Sequence, residues 1–426
     1  MENNSVFLND TQAAALNAIE HSGRNVLILG SAGSGKSTFV KYLKETSAKK
    51  IIMACPTAVS ALNIGGQTIH SLFQIAPRDF ILPEFLKLKV TPRNVLVGAE
   101  LLIIDEISMV SPDLLDAMDI LARKARKNDE PFGGLQVLAI GDLFQLPPVI
   151  TRAAEPHYLA EYGHSNAYFF DSHVWKRGDF SMMQFDHIYR QHDEELLCHL
   201  NAMRKGECGE ALPFFNSLRI DCEARRKNAV LITPFRNVAD AINNKRLAEI
   251  NAPEVLYRGI VEGNFAGKDL PSPEELILKL GTLVVFTKND GGKHRWHNGS
   301  MGVVRELGQS IMVEMTSGEI VEVKPEKWEK IEYIPGENNT LQESEAGSYT
   351  QFPLMLGWAM TIHKAQGKTL DAVVIDMSRG AFTHGQTYVA LSRTRSAADM
   401  HIATDLRPRD VIFDARVIEF CRKDKG

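Results

Sequence analysis

The sequence predicts an α/β protein with two lobes, each built on a parallel sheet, and smaller inserted elements. Three observations support this prediction. Apolar runs of strand length alternate with helical stretches over residues 1–180, and the runs end in glycine-rich or acidic residues. The alternation returns over residues 229–249, where an apolar run precedes a helical stretch. From residue 283 to residue 333 the pattern changes to short strands separated by turns, one of them at Asn298-Gly299.

The composition is that of a globular protein with no overall attraction for anions. The chain has 426 residues, a net charge of −5 and 44% hydrophobic residues, so a nucleic-acid site would have to be a local cleft. The cysteines at positions 55, 198, 208, 222 and 421 have no Cys-x-x-Cys spacing, which favours free thiols in a reducing compartment. No apolar run reaches the length of a membrane span, and residues 1–5 lack the features of a signal peptide. We therefore expect a cytoplasmic protein without a membrane partner.

Residues 25–45 combine a strand, a glycine-rich turn and the start of a helix. The turn, residues 30–38, reads Gly-Ser-Ala-Gly-Ser-Gly-Lys-Ser-Thr. Its glycines let successive backbone N–H groups point inward, which together with the helix N-terminus favours an anion. Lys36 would reach the terminal phosphates of a nucleotide, and the Ser37 hydroxyl would bind Mg²⁺. A flexible glycine- and serine-rich turn is the alternative, but all fixed positions of a phosphate-binding loop and both flanks are present.

The predicted ligand is therefore a nucleoside triphosphate. Gln12 precedes an alanine-rich helix, and its amide could read an adenine edge with one donor and one acceptor, although a surface glutamine is the ordinary alternative. The predicted nucleotide-binding residues in this part of the chain are Gln12, Gly30, Gly33, Ser34, Gly35, Lys36, Ser37 and Thr38.

A second pair of strands supplies candidate catalytic groups. The apolar run over residues 101–104 ends in Asp105 and Glu106, where Asp105 would bind Mg²⁺ and Glu106 would polarise the attacking water. The two carboxylates could also simply end a strand, but the phosphate-binding loop in the same chain favours the catalytic interpretation. The run over residues 135–140 leads to Gln145, which could sense the terminal phosphate.

Other segments of the first lobe are less specific. A strand over residues 51–55 ends at Pro56-Thr57, and His70 lies in a following loop; the carboxyl ends of parallel strands are where such sheets bind ligands. For His70 alone, a structural role is the ordinary alternative. Residues 74–97 contain three prolines and break the rhythm, so we expect a small inserted element there. Residues 111–127 have the spacing of an amphipathic helix.

These segments, taken in order, resemble the motifs of a known group. Residues 30–38, 105–108 and 141–148 resemble motifs I, II and III of superfamily 1 helicases of the 5′→3′ branch. The segment 111–136 resembles the signature segment of the PIF (petite integration frequency) helicase family. Three later segments resemble motifs IV, V and VI: residues 185–191, 356–367 and 388–395.

The resemblance implies a fold of two RecA-like P-loop lobes with a small wedge element and an SH3-like β-barrel inserted. It places the first lobe at residues 1–180 with the wedge at 74–97, and the second lobe at 181–281 and 346–426. The SH3-like subdomain would occupy residues 282–345, and the second lobe would resume after the polar residues 335–350.

The resemblance also implies an ATP-dependent DNA helicase that uses Mg²⁺ and moves 5′→3′ on single-stranded DNA, acting as a monomer. Tailed and forked duplexes, G-quadruplexes and RNA–DNA hybrids are the implied substrates, within replication, repair, recombination and telomere maintenance. Its implied catalytic residues are Lys36, Glu106, Gln145, Arg190 and Arg393, and Gly367 would approach the nucleotide. The implied DNA contacts are Pro56, Thr57, His70, Phe73, Phe144, Trp296, Asn298, Thr361, His363 and Lys364.

Two other functions remain open at this stage. A motor of the same architecture could translocate on single strands and remove bound proteins without unwinding. A nucleotide switch or DNA-binding scaffold would not need turnover, and the presence of the implied catalytic residues argues against it.

Overall fold

The first lobe is a parallel sheet covered by helices on both faces. The computed structural model describes residues 8–189, 193–219, 229–265, 270–291, 295–336 and 341–422. The strands of this lobe are β1 Asn25–Gly30, β2 Ile51–Cys55, β3 Gln67–Thr68, β4 Leu101–Ile104, β5 Gln136–Gly141 and β6 Phe180–Phe185. Among the described residues these six strands pair in the order β3-β2-β4-β5-β1-β6, all parallel. The central strands are apolar and buried, as a parallel sheet covered on both faces requires.

The helices of the first lobe are α1 Asp10–Asn17, α2 Lys36–Thr46, α3 Ala58–Ile64, α4 Ile69–Phe73, α5 Val90–Gly98, α6 Pro112–Arg126, α7 Glu155–Tyr162 and α8 His173–Arg177. A wider turn, Ala18–Ser22, continues α1. Single 3₁₀ turns lie at Pro83–Phe85, Ile107–Met109, Pro131–Gly134 and Phe169–Asp171.

Helix α6 differs from the amphipathic helix that the spacing predicts, because its acidic residues are buried as well. Asp113 accepts hydrogen bonds from the Ile81 N–H and the Tyr158 hydroxyl, at 2.8 and 2.7 Å. Asp116 and Asp119 likewise accept from N–H and hydroxyl groups of neighbouring segments. Buried carboxylates are tolerated when they are hydrogen-bonded, so these three hold the surrounding segments to α6.

The predicted insertion at residues 74–97 is shorter in the structure. Its second half forms α5, which packs on α6 and buries Val95 and Leu96. Within the predicted insertion, residues 74–89 form no helix or strand apart from one 3₁₀ turn. The three prolines led to the prediction of an irregular segment. Pro92 is compatible with the helix because it lies in the first turn, where a proline is tolerated.

The second half of the chain contributes helices α9 Glu194–Arg204, α10 Ala211–Ser217, α11 Arg236–Glu249, α12 Ile362–Ala365, α13 Gln386–Leu391 and α14 Ala415–Arg422. Its strands are β7 Val230–Thr233, β8 Val255–Arg258, β9 Ile260–Gly263, β10 Glu275–Leu278, β11 Leu283–Phe286, β12 Met301–Glu306, β13 Ile311–Met315, β14 Ile320–Val323, β15 Glu326–Pro335, β16 Leu341–Gln351, β17 Leu354–Leu356, β18 Ala359–Thr361, β19 Val373–Ile375 and β20 Met400–Ile402. Two further 3₁₀ turns are Ala397–Asp399 and Pro408–Asp410.

The second lobe repeats the parallel arrangement on a smaller scale. Within the described ranges its four strands pair in the order β18-β7-β19-β20, all parallel. The two lobes share one large hydrophobic core. Every helix in the described ranges falls short of the length or the apolar content that a membrane span requires.

The β-rich region extends beyond residues 282–345. It comprises antiparallel sheets in the orders β14-β13-β12-β11-β17, β15-β16-β9 and β10-β8, so its strands begin at Val255 and end at Leu356. Of the polar residues predicted to lead back to the second lobe, those from Leu341 onward form β16 instead, which pairs antiparallel with β15. Most residues of this hairpin are half-buried or exposed, and its buried residues include Trp328 and Tyr349. On its other side, the Tyr333 hydroxyl accepts a hydrogen bond from the Met53 N–H of β2, which joins the hairpin to the first lobe.

Candidate nucleotide site and strand-binding surface

The glycine-rich turn has the backbone conformation that a phosphate-binding loop needs. Gly33 and Gly35 both have φ of 83°, which is the left-handed region that favours glycine. A Cβ at Gly30 would overlap the Ser34 hydroxyl, so this glycine permits close packing beneath the loop. The Lys36 ammonium donates to the carbonyls of Gly30 and Ser31, at 2.8 Å each. Lysine and N–H groups therefore point at the place where phosphates would bind.

A cleft of about 660 Å³ lies between the two lobes and collects most of the predicted nucleotide site. The predicted residues that line it are Gln12, Gly33, Ser34, Gly35, Lys36, Ser37, Thr38, Asp105, Glu106, Gln145, Gly367 and Arg393. Gly30 does not line the cleft and acts through packing. Arg190 lies outside the described residues.

The two carboxylates at the end of β4 lie at the inner wall of this cleft. Glu106 has a φ of 53°, which is uncommon for a residue other than glycine, and its N–H donates to Asp105 Oδ1 at 2.9 Å. Burial, together with the neighbouring charge of Asp105, raises the pKa of Glu106 to about 7. Burial also raises the pKa of Asp105.

Asp105 and the Ser37 hydroxyl suit a Mg²⁺ ion. Two adjacent buried carboxylates destabilise each other's charged forms, and a divalent cation would relieve this. Among the described residues, no group of three or more His, Cys, Asp or Glu side chains could hold a metal. Mg²⁺ often takes one or two protein ligands and fills its other positions with phosphate oxygens and water.

Asp142 orients the segment that follows β5. It accepts hydrogen bonds from the Gln145 amide at 3.1 Å and from the Tyr388 hydroxyl at 3.3 Å, and Arg204 lies 3.5 Å away. Because Tyr388 belongs to α13, this carboxylate connects the Gln145 side chain to the second lobe. His384 adds a second connection, since its Nε2 donates to the Leu143 carbonyl at 2.9 Å.

Arg393 enters the cleft from the second lobe and is almost fully buried, with 1% of its surface exposed. Its guanidinium donates to the carbonyls of Val389, Ala365 and Lys368 and to the Ser392 hydroxyl, at 2.6 to 3.3 Å. The positive charge of Arg393 also lowers the pKa of Glu106, although less than burial raises it. The side chain is therefore held rigidly opposite the carboxylate predicted to activate water.

Six residues that line the cleft were not predicted from the sequence, and three of them belong to the second half of the motif series: Tyr189, Thr369 and Arg395. The Tyr189 N–H donates to the Gly33 carbonyl at 2.8 Å, and its ring lies 3.2 Å from the place that a Cβ at Gly35 would occupy. All three lie inside or beside segments that the resemblance had assigned to motifs IV, V and VI. Their position next to Arg190, Gly367 and Arg393 was the available signal.

The predicted DNA contacts fall into two groups. Pro56, Thr57 and His70 are partly exposed beyond the carboxyl ends of β2 and β3, and His363 and Lys364 are exposed after β18. Thr57 and Thr361 serve mainly as helix caps, accepting hydrogen bonds from the N–H groups of Ser60 and Lys364. Each sheet thus presents exposed polar residues at the edge where parallel sheets bind ligands.

The second group is corrected by the structure. Phe73 is 1% exposed and lies in the core, so its ring offers no surface to a base. Phe144 is buried, with the Arg204 guanidinium 4.2 Å from its ring. Trp296 is buried on Phe286, with ring centroids 4.7 Å apart. These aromatic side chains fill the interior, which is their commoner role.

An aromatic pair with one exposed ring, not predicted from the sequence, lies at the carboxyl edge of the second-lobe sheet. Phe235 follows β7 and lies 5.6 Å from Phe382, between ring centroids. Phe382 is 57% exposed, and the Arg379 guanidinium lies 5.9 Å from the Phe235 ring. Because β7 pairs with β18, this pair flanks the edge that carries Thr361 and Lys364.

Comparisons with known proteins agree with this geometry. A family profile described as PIF1-like helicase matches residues 7–206. The chain is 32% identical to the ATP-dependent DNA helicase Pif1 of Bdellovibrio bacteriovorus, over 99% of this chain and 93% of that protein. It is 31% identical to the human ATP-dependent DNA helicase PIF1, over 97% of this chain, and spans 63% of the human protein.

Solved structures extend the comparison to the fold. Bacteroides Pif1 in complex with ADP-AlF4 matches with a TM-score of 0.90 and 36% identity, over 98% of this chain and 97% of that one. Bacteroides Pif1 bound to single-stranded DNA matches with a TM-score of 0.70 and 35% identity, over 98% and 97%. The RecA-like α/β architecture predicted from the sequence is confirmed, and the chain belongs to the PIF1-like helicase family.

Proposed function

We propose that this helicase hydrolyses ATP, with Mg²⁺, in the interlobe cleft and uses the energy to move 5′→3′ along single-stranded DNA and to separate duplexes. The observation that carries the proposal is that both lobes contribute polar groups to one cleft. Glu106 of the first lobe accepts a hydrogen bond from the Gln366 amide of the second, at 3.4 Å, and Arg393 lies opposite. A nucleotide bound there would contact both lobes and change how they sit relative to each other.

The chain's own groups divide the chemistry between them. Lys36 would exchange its two carbonyl acceptors for phosphate oxygens, while the loop N–H groups bind the remaining phosphate charge. Glu106, with a pKa of about 7, is suited to accept a proton from the attacking water near neutral pH. Arg393 would stabilise negative charge that develops in the transition state. A Mg²⁺ ion held by Ser37 and Asp105 would supply further neutralisation of phosphate charge.

The strand would lie across the carboxyl edges of the two sheets. Thr57 and His70 would contact it on the first lobe, and His363 and Lys364 on the second. Phe235 and Phe382 would add a stacking surface, since bases stack on aromatic rings irrespective of sequence. Alternating affinity at the two edges, driven by the nucleotide, would move the strand in one direction.

A change of shape on DNA binding fits the comparison of relatives. The same Bacteroides protein resembles this structure more closely with ADP-AlF4 than with single-stranded DNA. We infer that the present conformation corresponds to the DNA-free one and that DNA rearranges the protein.

Residues 74–89 are our candidate for the element that separates strands. Phe85 is 55% exposed, with the Arg78 guanidinium 5.0 Å from its ring, and Asp113 ties this segment to α6 through Ile81. An exposed aromatic side chain on a firmly anchored segment could part a base pair at a fork. We extend the proposal to forks, G-quadruplexes and RNA–DNA hybrids as substrates in genome maintenance, and to a cytoplasmic protein active as a monomer.

The test is the unwinding of two matched duplexes, one with a 5′ single-stranded tail and one with a 3′ tail, in ATP and Mg²⁺. We expect unwinding of the 5′-tailed duplex alone, with loss in Lys36→Ala and retention in Lys41→Ala, a lysine 79% exposed on the same helix. Strand-stimulated ATP hydrolysis without unwinding would instead support a translocase that removes bound proteins. Unwinding of only the 3′-tailed duplex would contradict the proposal.

A further inference from the structure

The segment 366–371, which we call the linking segment, faces the nucleotide cleft on one side. Gly367 and Thr369 line the cleft, and the Gln366 amide donates to Glu106. The carbonyl of Lys368 accepts a hydrogen bond from the Arg393 guanidinium at 3.3 Å. The linking segment therefore contacts the groups on which hydrolysis depends, although it holds no reacting atom itself.

The other side of the linking segment rests on the β-rich region. The Lys368 ammonium donates to Asn298 Oδ1 at 2.6 Å. Asp371 Oδ2 accepts from the Met301 N–H at 2.9 Å and from the Thr316 hydroxyl at 3.2 Å. The turn 297–301 and the linking segment are thus joined at two points of the latter, Lys368 and Asp371.

Backbone packing between these two points is equally close. Gly299 has a φ of 107°, and a Cβ there would overlap the Thr369 carbonyl oxygen. A side chain at this position would be strained and would also push Thr369 towards the cleft. The absence of a side chain at Gly299 therefore allows the turn to pack directly against the backbone of the linking segment.

Lys368 makes this contact depend strongly on Asn298. Only 8% of Lys368 is exposed, and burial, together with the nearby Lys364 charge, lowers the pKa of Lys368 to about 8. A buried ammonium without an acceptor is costly, so the Asn298 amide oxygen stabilises both the charge and the position of the segment. Asn298 was predicted to contact DNA, but its amide oxygen accepts a hydrogen bond from Lys368.

We propose that Asn298 is a positioning residue for the nucleotide cleft: through Lys368 it holds Gly367 and Thr369 where they meet the nucleotide. A conformational change in the β-rich region would then alter the affinity of the cleft for nucleotide. By thermodynamic linkage, nucleotide binding would alter the conformation of the β-rich region to the same extent. This inference rests on the proposed function, in which the cleft binds ATP. It differs from the sequence prediction, in which Asn298 contacts DNA.

The first experiment measures binding of a fluorescent ADP analogue with Mg²⁺ to the full chain, in the absence of DNA. We expect Asn298→Ala to weaken binding by on the order of 5-fold or more, the lower end of typical coupling between sites. Asn251→Ala, at an exposed asparagine, is the matched control and should bind as the unaltered chain does. Thermal unfolding of each variant shows that the fold is retained.

Two further variants separate a positioning role from a general structural one. Asn298→Asp keeps an acceptor for the Lys368 ammonium, so we expect it to restore nucleotide affinity, whereas a carboxylate at a DNA contact would repel phosphate. Lys368→Met should weaken nucleotide binding as well, and combining it with Asn298→Ala should add little, since the two residues act as a pair.

Single-stranded DNA affinity, measured without nucleotide, completes the test. The proposal is overturned if Asn298→Ala lowers DNA affinity and leaves nucleotide affinity unchanged, or if it changes neither. Failure of the proposed function would look different, because the unaltered chain would then bind no single-stranded DNA or show no strand-stimulated ATP hydrolysis in the same series.

Discussion

The nucleotide cleft differs from the proposed DNA-binding surface, which we call the strand track, in what holds the residues in place. The strand track consists of Thr57, His70, Phe235, His363, Lys364 and Phe382. In the cleft, the functional residues are neighbours in short segments, such as the loop before α2 and the end of β4. The local backbone conformation of each segment sets the direction of its side chains and N–H groups. On the strand track, each side chain is separate, and its use depends on exposure. The predicted rings of Phe73 and Trp296 are buried, while Phe382 is exposed. Local backbone motifs are thus more predictable than surfaces.

The largest effect should come from a carboxylate of the cleft. We expect Glu106→Gln to reduce the rate of ATP hydrolysis by about 10²- to 10⁴-fold, the range that a general base contributes, while nucleotide binding persists. Single-turnover hydrolysis and nucleotide binding would be measured together. Glu45→Gln, an exposed position at the far end of α2, should hydrolyse normally. Undiminished hydrolysis in Glu106→Gln would remove the main support for the cleft's chemistry.

A smaller effect, of a different kind, is expected at Phe73. Removing this buried ring should lower the free energy of unfolding by about 3–5 kcal/mol, because it leaves a cavity in the core. Denaturant titration would measure it. If Phe73→Ala kept its stability and lost affinity for single-stranded DNA, the ring would belong to the strand track. That result would contradict the assignment of Phe73 to the core.

The smallest of the three effects should appear at Phe382. Its replacement by alanine should weaken single-stranded DNA binding by about 1–3 kcal/mol, the usual contribution of one stacked base. Fluorescence anisotropy with a labelled strand would show it. Phe413→Ala is the control, since this ring is also exposed, at 45%, but lies against Gly206. Equal affinities of both variants would remove the aromatic pair from the track.

Much of the α/β framework follows from the sequence. Strand β2 has the predicted bounds, and β1, β4 and β5 agree within a residue, because buried parallel strands are continuous apolar runs. The hairpin of β15 and β16 was missed for the complementary reason. Its outward side chains are polar, so composition resembled a linker, and its pairing depends on partners distant in the chain. Helix α5 was not predicted, because its segment and the residues before it contain prolines.

The residues of the candidate site also divide into those that the sequence predicts and those that it does not. Lys36, Glu106 and Arg393 could be placed because their motifs determine the local backbone. Exposure of an aromatic ring, in contrast, depends on which elements pack over it, and the sequence around Phe144 carries no sign of the Arg204 side chain that covers it. The contact between Asn298 and Lys368 joins residues from two regions and was likewise outside what spacing can show.

The most direct test of the account is directional translocation on single-stranded DNA. Strands of increasing length would carry a fluorophore at either the 5′ or the 3′ end, and its signal would be followed after rapid addition of ATP and Mg²⁺. We predict a delay that grows with strand length for the 3′ label and no such delay for the 5′ label, and we expect Glu106→Gln to abolish the ATP-dependent signal at both labels. A length-dependent delay at the 5′ label, or motion that persists in Glu106→Gln, would contradict it.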